Sequence, residues 1–421
     1  MTKPTPENFT HRVSSFERPV ASPIDVITQT LPLLDKHQAQ WWEHAGPRWA
    51  RFLEVARYGI HEQYQYLLFL HQHILPALGP YQGQYKSMLT PAGMPLEFSL
   101  NFRGNSSEST ARVAIEPISA LSGTEKDPYS KATGIAFVDH LGSLGIAGFD
   151  TQIFGVISKA ICPPNDQSNH PSLDNFWKSS YMLGFDTAGG KVSTKAYAVL
   201  AAMHLTTLRS IEDIVTEPLT QIGQMMGCSD AVALTHQYLM ESSSYAADSL
   251  ISWDMTDPPK SRLKLYSYTS ELVLGRVEGI WTLGGRLKND PVVSKGLDLS
   301  VQLWEILGMK DRPPSLHDTP ESPENLPLQW NYEIQAGKPY PATKIYYPLV
   351  GMNDLDISKR ISKFFDFLGW PERAQSYVSN VEKLYPGYDL SQTNYLHTWI
   401  SLTYSEKSGP YCSVYYQTLS F

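Results

Sequence analysis

The sequence predicts an α+β fold in which helices alternate with paired antiparallel strands; if that sheet closes on itself with the helices outside, it makes a barrel of about ten strands whose polar faces point inward. Three observations carry it. Short runs of apolar–polar alternation recur in pairs across turns, as in Pro95–Arg103 followed by Ala111–Pro117. Helically spaced stretches separate the pairs, about five times over, without the strand-helix-strand rhythm of a parallel sheet. A cation followed two residues later by tyrosine stands on three separate strand-like runs: Lys195-Ala-Tyr197, Arg262-Leu-Lys264-Leu-Tyr266 and Lys344-Ile-Tyr346. Alternate strand residues point to opposite faces, so Arg262, Lys264 and Tyr266 share one face and Leu263 and Leu265 the other.

In chain order, residues 1–22 are polar and Pro-containing and read as a flexible arm before a single domain over 23–421. From Asp25 to about Ala77 the spacing is helical, running through Leu31, Leu33, Leu34, Trp41, Trp42, Phe52 and Leu67, with breaks at Pro47 and Pro76. The first hairpin sets Leu96, Phe98, Leu100 and Phe102 on one face and Glu97, Ser99, Asn101 and Arg103 on the other. Past a Gly-Asn-Ser-Ser turn, Arg112 and Glu116 oppose Val113 and Ile115. A mixed segment spans about 128–160. A strand near Tyr181–Asp186 turns at Gly189-Gly190, too short a glycine run for a phosphate loop, into the Lys195/Tyr197 strand. Helices fill about 208–254, and the Arg262 strand is expected to pair with Gly279–Leu283. A helix near 293–308, a Pro-rich linker from Arg312 to Pro327 and strands at about 328–335 and 342–349 follow. The chain finishes with a helical block over 354–384 and a hairpin of Tyr395–Tyr404 with Tyr411–Thr418.

The 421 residues are 42% hydrophobic and 18% charged, enough to bury a large core. A net charge of −8 means that the cations of interest are no part of a basic coat, which argues against nucleic acid as a partner. Cys162, Cys228 and Cys412 have no metal or disulfide spacing, and the chain shows no apolar leader, membrane-length stretch or lipidation signal. The cytoplasm is the expected location, with no membrane partner. Asn8-Phe9-Thr10 and Asn105-Ser106-Ser107 match the glycosylation acceptor pattern, which means nothing without secretion.

In most antiparallel sheets the polar face is solvated, and on strand pattern alone that is the stronger reading. The composition of these faces shifts the balance. Tyr197, Tyr266, Tyr346, Trp399 and Tyr415 all share the parity of charged or polar neighbours. A lumen that binds something anionic and apolar accounts for such pairing; solvent exposure does not. Lysines and arginines in a partly enclosed space suit a diphosphate, whose charge must be neutralised away from water. Tyrosines add hydroxyl donors and π-faces for a cation. An allylic diphosphate needs both, because its ionisation leaves diphosphate beside a carbocation.

The chain resembles the dimethylallyltryptophan synthase family of fungal aromatic prenyltransferases from about residue 25 to its C-terminus. The resemblance rests on Pro95-Leu-Glu-Phe-Ser, Arg112-Val-Ala-Ile-Glu-Pro, Gly184-Phe-Asp-x-x-Gly-Gly with Lys195-x-Tyr197, Arg262-x-Lys264-x-Tyr266, Lys344-x-Tyr346 and Ser413-Val-Tyr415-Tyr416. It implies a ten-stranded antiparallel barrel of repeated αββα units, the ABBA or PT barrel. It also implies transfer of a dimethylallyl or longer prenyl group from its diphosphate to an aromatic acceptor by Friedel–Crafts alkylation, in secondary metabolism. By the same resemblance Glu97 accepts the indole N–H, and Arg112, Lys195, Arg262, Lys264 and Lys344 bind diphosphate. Tyr197, Tyr266, Tyr346 and Tyr415 then shield the cation. No cofactor is implied, and no metal. The chain lacks the Asp-Asp-x-x-Asp motif of Mg²⁺-dependent prenyltransferases, and Asp354-Leu-Asp356 does not supply it.

Three departures bear on the acceptor and on prenyl length. Trp399 stands where the family often has Tyr, Ser405 where it has Arg, and Met182 where some tryptophan-using members carry Lys. Trp399, Met182, Gln329 (in the Leu328–Trp330 wall) and His397 are therefore expected around the acceptor or prenyl pocket. The acceptor is left open among tryptophan, a cyclic dipeptide, an indole alkaloid and a phenol, and the protein between monomer and homodimer. A non-catalytic barrel that binds an isoprenoid or phosphorylated ligand is the competing class.

Overall fold

The structure, a computed structural model, describes residues 21–32, 35–104, 108–161, 178–246, 249–312 and 326–417. Most of the expected arm, Leu33-Leu34, both glycosylation patterns, Cys162, the body of the Pro-rich linker and Thr418 lie outside the described residues.

The ten strands are β1 Leu96–Arg103, β2 Thr110–Ile115, β3 Tyr181–Ala188, β4 Lys191–Val199, β5 Leu250–Asp254, β6 Arg262–Thr269, β7 Leu328–Gln335, β8 Ala342–Pro348, β9 His397–Ser405 and β10 Gly409–Tyr416. Each pairs antiparallel with its neighbours in sequence, and β10 pairs back onto β1 to close the barrel. Gly189 and Gly190 have φ of 57° and 70°, the left-handed conformation that a two-residue hairpin turn between β3 and β4 requires.

Around the barrel stand α1 Pro23–Thr30, α2 Lys36–Val55, α3 Ile60–Phe69, α4 Lys131–Ser143, α5 Gln152–Ile161, α6 Ala201–Thr207, α7 Ile211–Met226 and α8 Ser229–Glu241. The ring is completed by α9 Leu274–Trp281, α10 Pro291–Leu307, α11 Asp354–Phe367 and α12 Pro371–Leu384. None of the described helices is long and apolar enough to cross a membrane. They cover the outward apolar faces of the strands. Trp49 of α2 stacks on Phe98 of β1 at 5.2 Å, and Phe365 of α11 meets Phe102 at 4.9 Å. Outward phenols find partners in the same layer: Tyr347 bonds Ser300 of α10 at 2.7 Å, and Tyr332 donates to the Ile280 carbonyl at 2.8 Å.

Two expectations are corrected. Residues 250–254 end the predicted helical stretch but form strand β5, with Leu250, Ser252 and Asp254 inward and Ile251 and Trp253 outward. The expected partner of the Arg262 strand, Gly279–Leu283, falls instead in and just after helix α9, where Val277, Ile280 and Trp281 are buried at helical spacing. A short apolar run fits both periods, and packing decides between them. The Arg262 strand pairs with β5 and β7.

Candidate active site

The strand parity that turns leucines and phenylalanines outward turns the remaining side chains into the lumen. At its hairpin-turn end lies a charged layer. Arg112 and Lys195 both bind the Asp186 carboxylate. Arg262 grips Asp254 through Nε at 2.6 Å and Nη2 at 3.1 Å, with Glu333 3.5 Å from Nη1. Lys264 Nζ lies 3.8 Å from Asp254 and 3.7 Å from Glu333, too far for a hydrogen bond to either. Lys344 donates to Ser413 Oγ at 3.0 Å and stands over the rings of Tyr346 and Tyr411 at 5.4 and 4.8 Å. Among the described residues, five cations in this layer therefore face three carboxylates, and the surplus is positive.

Burial sets the protonation states. Lys195 is 4% exposed. Desolvation and then the Arg112 charge push its ammonium down to about 7, against the pull of Asp186. Lys264 is lowered by burial, and Lys344 is driven well below the usual lysine range by burial and then by Arg112. Burial would raise the Asp186 carboxyl, but Arg112 and Lys195 outweigh it and hold that group well below the usual range. An anion bound among them would favour the charged form of each lysine.

Beyond the cations runs a belt of phenols. Tyr197, Tyr266, Tyr346 and Tyr415 follow one another around the wall, with centroids 5.9, 6.1 and 5.8 Å apart. Asn331 fixes the Tyr346 hydroxyl at 2.9 Å, and that oxygen is 3.5 Å from the hydroxyl of Tyr266. The belt merges with an apolar cluster that is separate from the main core: Met182, Val199, Ala201, Leu250, Tyr266 and Tyr346, with Met88, Leu89, Tyr197, Trp399 and Tyr415 against it.

Glu97 reaches the lumen from β1. It is 9% exposed, and among the described residues its carboxyl has no hydrogen-bond partner. Burial pushes it up to about 8, with the Arg112 charge pulling the other way. A buried acceptor group without a donor is a ready partner for a ligand N–H.

The sequence-predicted residues Glu97, Arg112, Lys195, Tyr197, Arg262, Lys264, Tyr266, Lys344, Tyr346 and Tyr415 all face this one lumen, with Met182 and Trp399 in its apolar part. Gln329 pairs with Tyr346 in register and donates to the Tyr268 hydroxyl at 3.0 Å. His397 does not join them. The register slips between Tyr415 and Tyr416, which pairs His397 with Tyr416 and turns both outward. There Nδ1 of His397 lies 2.7 Å from Asp354 of α11, beside Tyr377 of α12. Sequence reading did not single out Asp186, Asp254, Glu333, Asn331, Ser413 and Tyr411, although their strand parity matched that of the predicted cations. Met88 and Leu89 come from a loop and carry no periodic signal.

Outside the barrel, a surface cleft of about 250 Å³ lined by Phe102, Trp370, Arg373 and Tyr377 contains none of the predicted residues. Among the described residues no group of three or more His, Cys, Asp or Glu is placed to hold a metal ion.

The sequence pattern of tryptophan dimethylallyltransferase matches residues 37–380. Echinulin prenyltransferase 1 of Aspergillus ruber is 36% identical over 403 residues, covering 94% of this chain and 96% of that protein. A tryptophan dimethylallyltransferase of Emericella nidulans is 34% identical over 408 residues, covering 94% and 93%. The crystal structure of NotF in complex with brevianamide F and DMSPP superposes with a TM-score of 0.85 at 31% identity, over 95% of this chain and all of that one.

Proposed function

This chain belongs to the tryptophan dimethylallyltransferase family of prenyl-transferring enzymes, and from that premise we propose that it attaches a dimethylallyl group to an indole carbon. The donor's diphosphate lies among Arg112, Lys195, Arg262, Lys264 and Lys344. The five cations offset its charge and stabilise it as the leaving group when the allylic C–O bond ionises. Because they supply that charge, the transfer proceeds without a metal.

The allyl cation forms against Tyr197, Tyr266, Tyr346 and Tyr415, whose π-faces stabilise it and whose bulk excludes water. Glu97 accepts the indole N–H and fixes the acceptor; in its ionised form, which the charge of Arg112 favours against burial, it also raises the electron density of the ring that attacks. The arenium ion then gives its ring proton to the released diphosphate, and the ring regains its aromaticity. Met182, Trp399 and Gln329 shape the acceptor and prenyl pocket. A single domain carries the whole site, and its two described, buried and unpaired cysteines, Cys228 and Cys412, suit a cytoplasmic enzyme.

The observation that carries this reading is a buried carboxyl without a hydrogen bond, in the same lumen as a cationic layer and a tyrosine belt. An anion-binding barrel needs the cations and has no use for Glu97. The test is mass spectrometry of products from purified protein, EDTA, dimethylallyl or geranyl diphosphate, and a panel of tryptophan, tryptophan-containing cyclic dipeptides, indole alkaloids and phenols. The expected product is an indole carrying one dimethylallyl group. Prenylation of phenols alone, or turnover that requires added Mg²⁺, would overturn it.

A further inference from the structure

At the mouth of the lumen, opposite the hairpin turns, a buried carboxylate stands outside the reaction just described. Glu116 follows β2 and is fully buried, as are Ser87 and Ser179. Its Oε1 accepts from the Tyr85 hydroxyl at 2.6 Å, and its Oε2 accepts from the hydroxyls of Ser87 and, at 2.9 Å, Ser179. Three hydroxyl donors on one carboxylate is an expensive arrangement to bury unless it fixes something. What it fixes is the segment that leads into β1. Ser87 Oγ also accepts from the Leu89 amide at 3.0 Å, and Ser179 Oγ from the Met88 amide at 3.4 Å. The Ser87 amide donates to the Gly93 carbonyl at 3.0 Å, and Thr90 bonds both the amide and the carbonyl of Met94. The Glu116 amide itself donates to the Pro95 carbonyl at 3.0 Å, two residues before Glu97. The same knot therefore holds Met88 and Leu89 against the apolar cluster of the lumen and anchors the start of the strand that presents Glu97.

We propose that Glu116 is a positioning residue for the acceptor: through Tyr85, Ser87 and Ser179 it sets the wall formed by Met88 and Leu89 and its spacing from Glu97. The proposal rests on the reading of Glu97 given above. Such a device governs which ring carbon faces the allyl cation, since a misplacement of about 1 Å is enough to cost on the order of a hundredfold in rate. It stands apart from diphosphate binding, because none of its members touches the charged layer.

Tyr85→Phe removes one of the three donors and leaves Glu116 in place; Glu116→Gln keeps the shape and removes the charge. Both are compared with wild type using dimethylallyl diphosphate and, as acceptors, tryptophan, a tryptophan-containing cyclic dipeptide and a simple phenol. Readouts are separate KM values for donor and acceptor, the ratio of regioisomers by NMR, and melting temperature. In both variants the expected result is an acceptor KM raised about tenfold or more and a broadened regioisomer ratio, with donor KM within about twofold. Met88→Ala should shift the ratio in the same way without touching the knot. An unchanged acceptor KM and regioisomer ratio in all three variants would overturn the proposal. So would equal losses against donor and acceptor that follow the loss of folded protein. If wild type turned over the phenol alone, the indole reading would fail; the phenol would then serve as the acceptor in the same comparison.

Discussion

The same ten strands present two faces of opposite character. Outward, side chains are mostly apolar and packed under the helices: Phe98 lies under Trp49, Tyr347 meets Ser300, and the outward-turned His397 bonds Asp354 through Nδ1. Inward, charges lie in low dielectric with their protonation shifted, the Lys264 amine is buried without a hydrogen bond, and so are Ser252 Oγ and Asn331 Oδ1. An outer face of apolar side chains packed under helices stabilises the fold. An inner face left incomplete costs stability and is completed by a ligand. Mutations should therefore separate the two: inner changes cost activity, outer changes cost stability.

The largest expected effect is at Glu97. Glu97→Gln should lower kcat/KM for the acceptor by roughly 10²–10⁴-fold, the range for a lost acid–base group. Stability should move the other way. The carboxyl titrates near 4.5 when unfolded and near 8 when folded, so the folded state binds the extra proton between those values. Wild type then loses stability as pH rises from 4.5 through 8, and Glu97→Gln does not. Melting curves at pH 5 and 9 should show the variant gaining on wild type at the higher pH. A variant that is less stable at both would erase the distinction between the faces.

Phe98→Ala, on the next residue of the same strand, is the outer counterpart. It should cost about 3–5 kcal/mol of stability, as large-to-small core changes do. kcat per folded molecule should stay within a few-fold of wild type, read at a temperature below its transition.

Lys195→Met and Lys264→Met come next. Each removes a charged donor worth about 1.5–3 kcal/mol. Calorimetry should show dimethylallyl diphosphate binding weakened roughly ten- to hundredfold, with acceptor affinity spared. The smallest effect is one of pH. With its ammonium at about 7 before diphosphate binds, Lys195 is charged below that pH and neutral above it, and diphosphate restores the proton. Donor affinity should fall by up to tenfold per unit above pH 7, with proton uptake visible in buffers of differing ionisation enthalpy. Lys195→Arg, charged throughout, should flatten that dependence.

The two faces also differ in how legible they were in the sequence. Parity along a strand separates inner from outer residues, so Glu97, Arg112, the cation–tyrosine pairs and Tyr415 fall on one face from the residue pattern alone. β5 escaped because five residues after two helices give too little period to tell strand from helix. Its loss hid Asp254, and with it the counter-charges of Arg262 and Lys264. His397 misled because a one-residue slip at Tyr415/Tyr416 reverses parity, and no sequence period records it. Met88, Leu89 and the Glu116 knot are brought to the lumen by a loop, through contacts that exist only in the fold.

The most direct measurement is a crystal structure with a thiolo analogue of dimethylallyl diphosphate and an accepted indole. The expected complex has the diphosphate among Arg112, Lys195, Arg262, Lys264 and Lys344, the prenyl tail along the tyrosine belt, and the indole N–H on the Glu97 carboxylate. A diphosphate bound outside the barrel, as in the Arg373 cleft, or an indole whose N–H points away from Glu97, would contradict it.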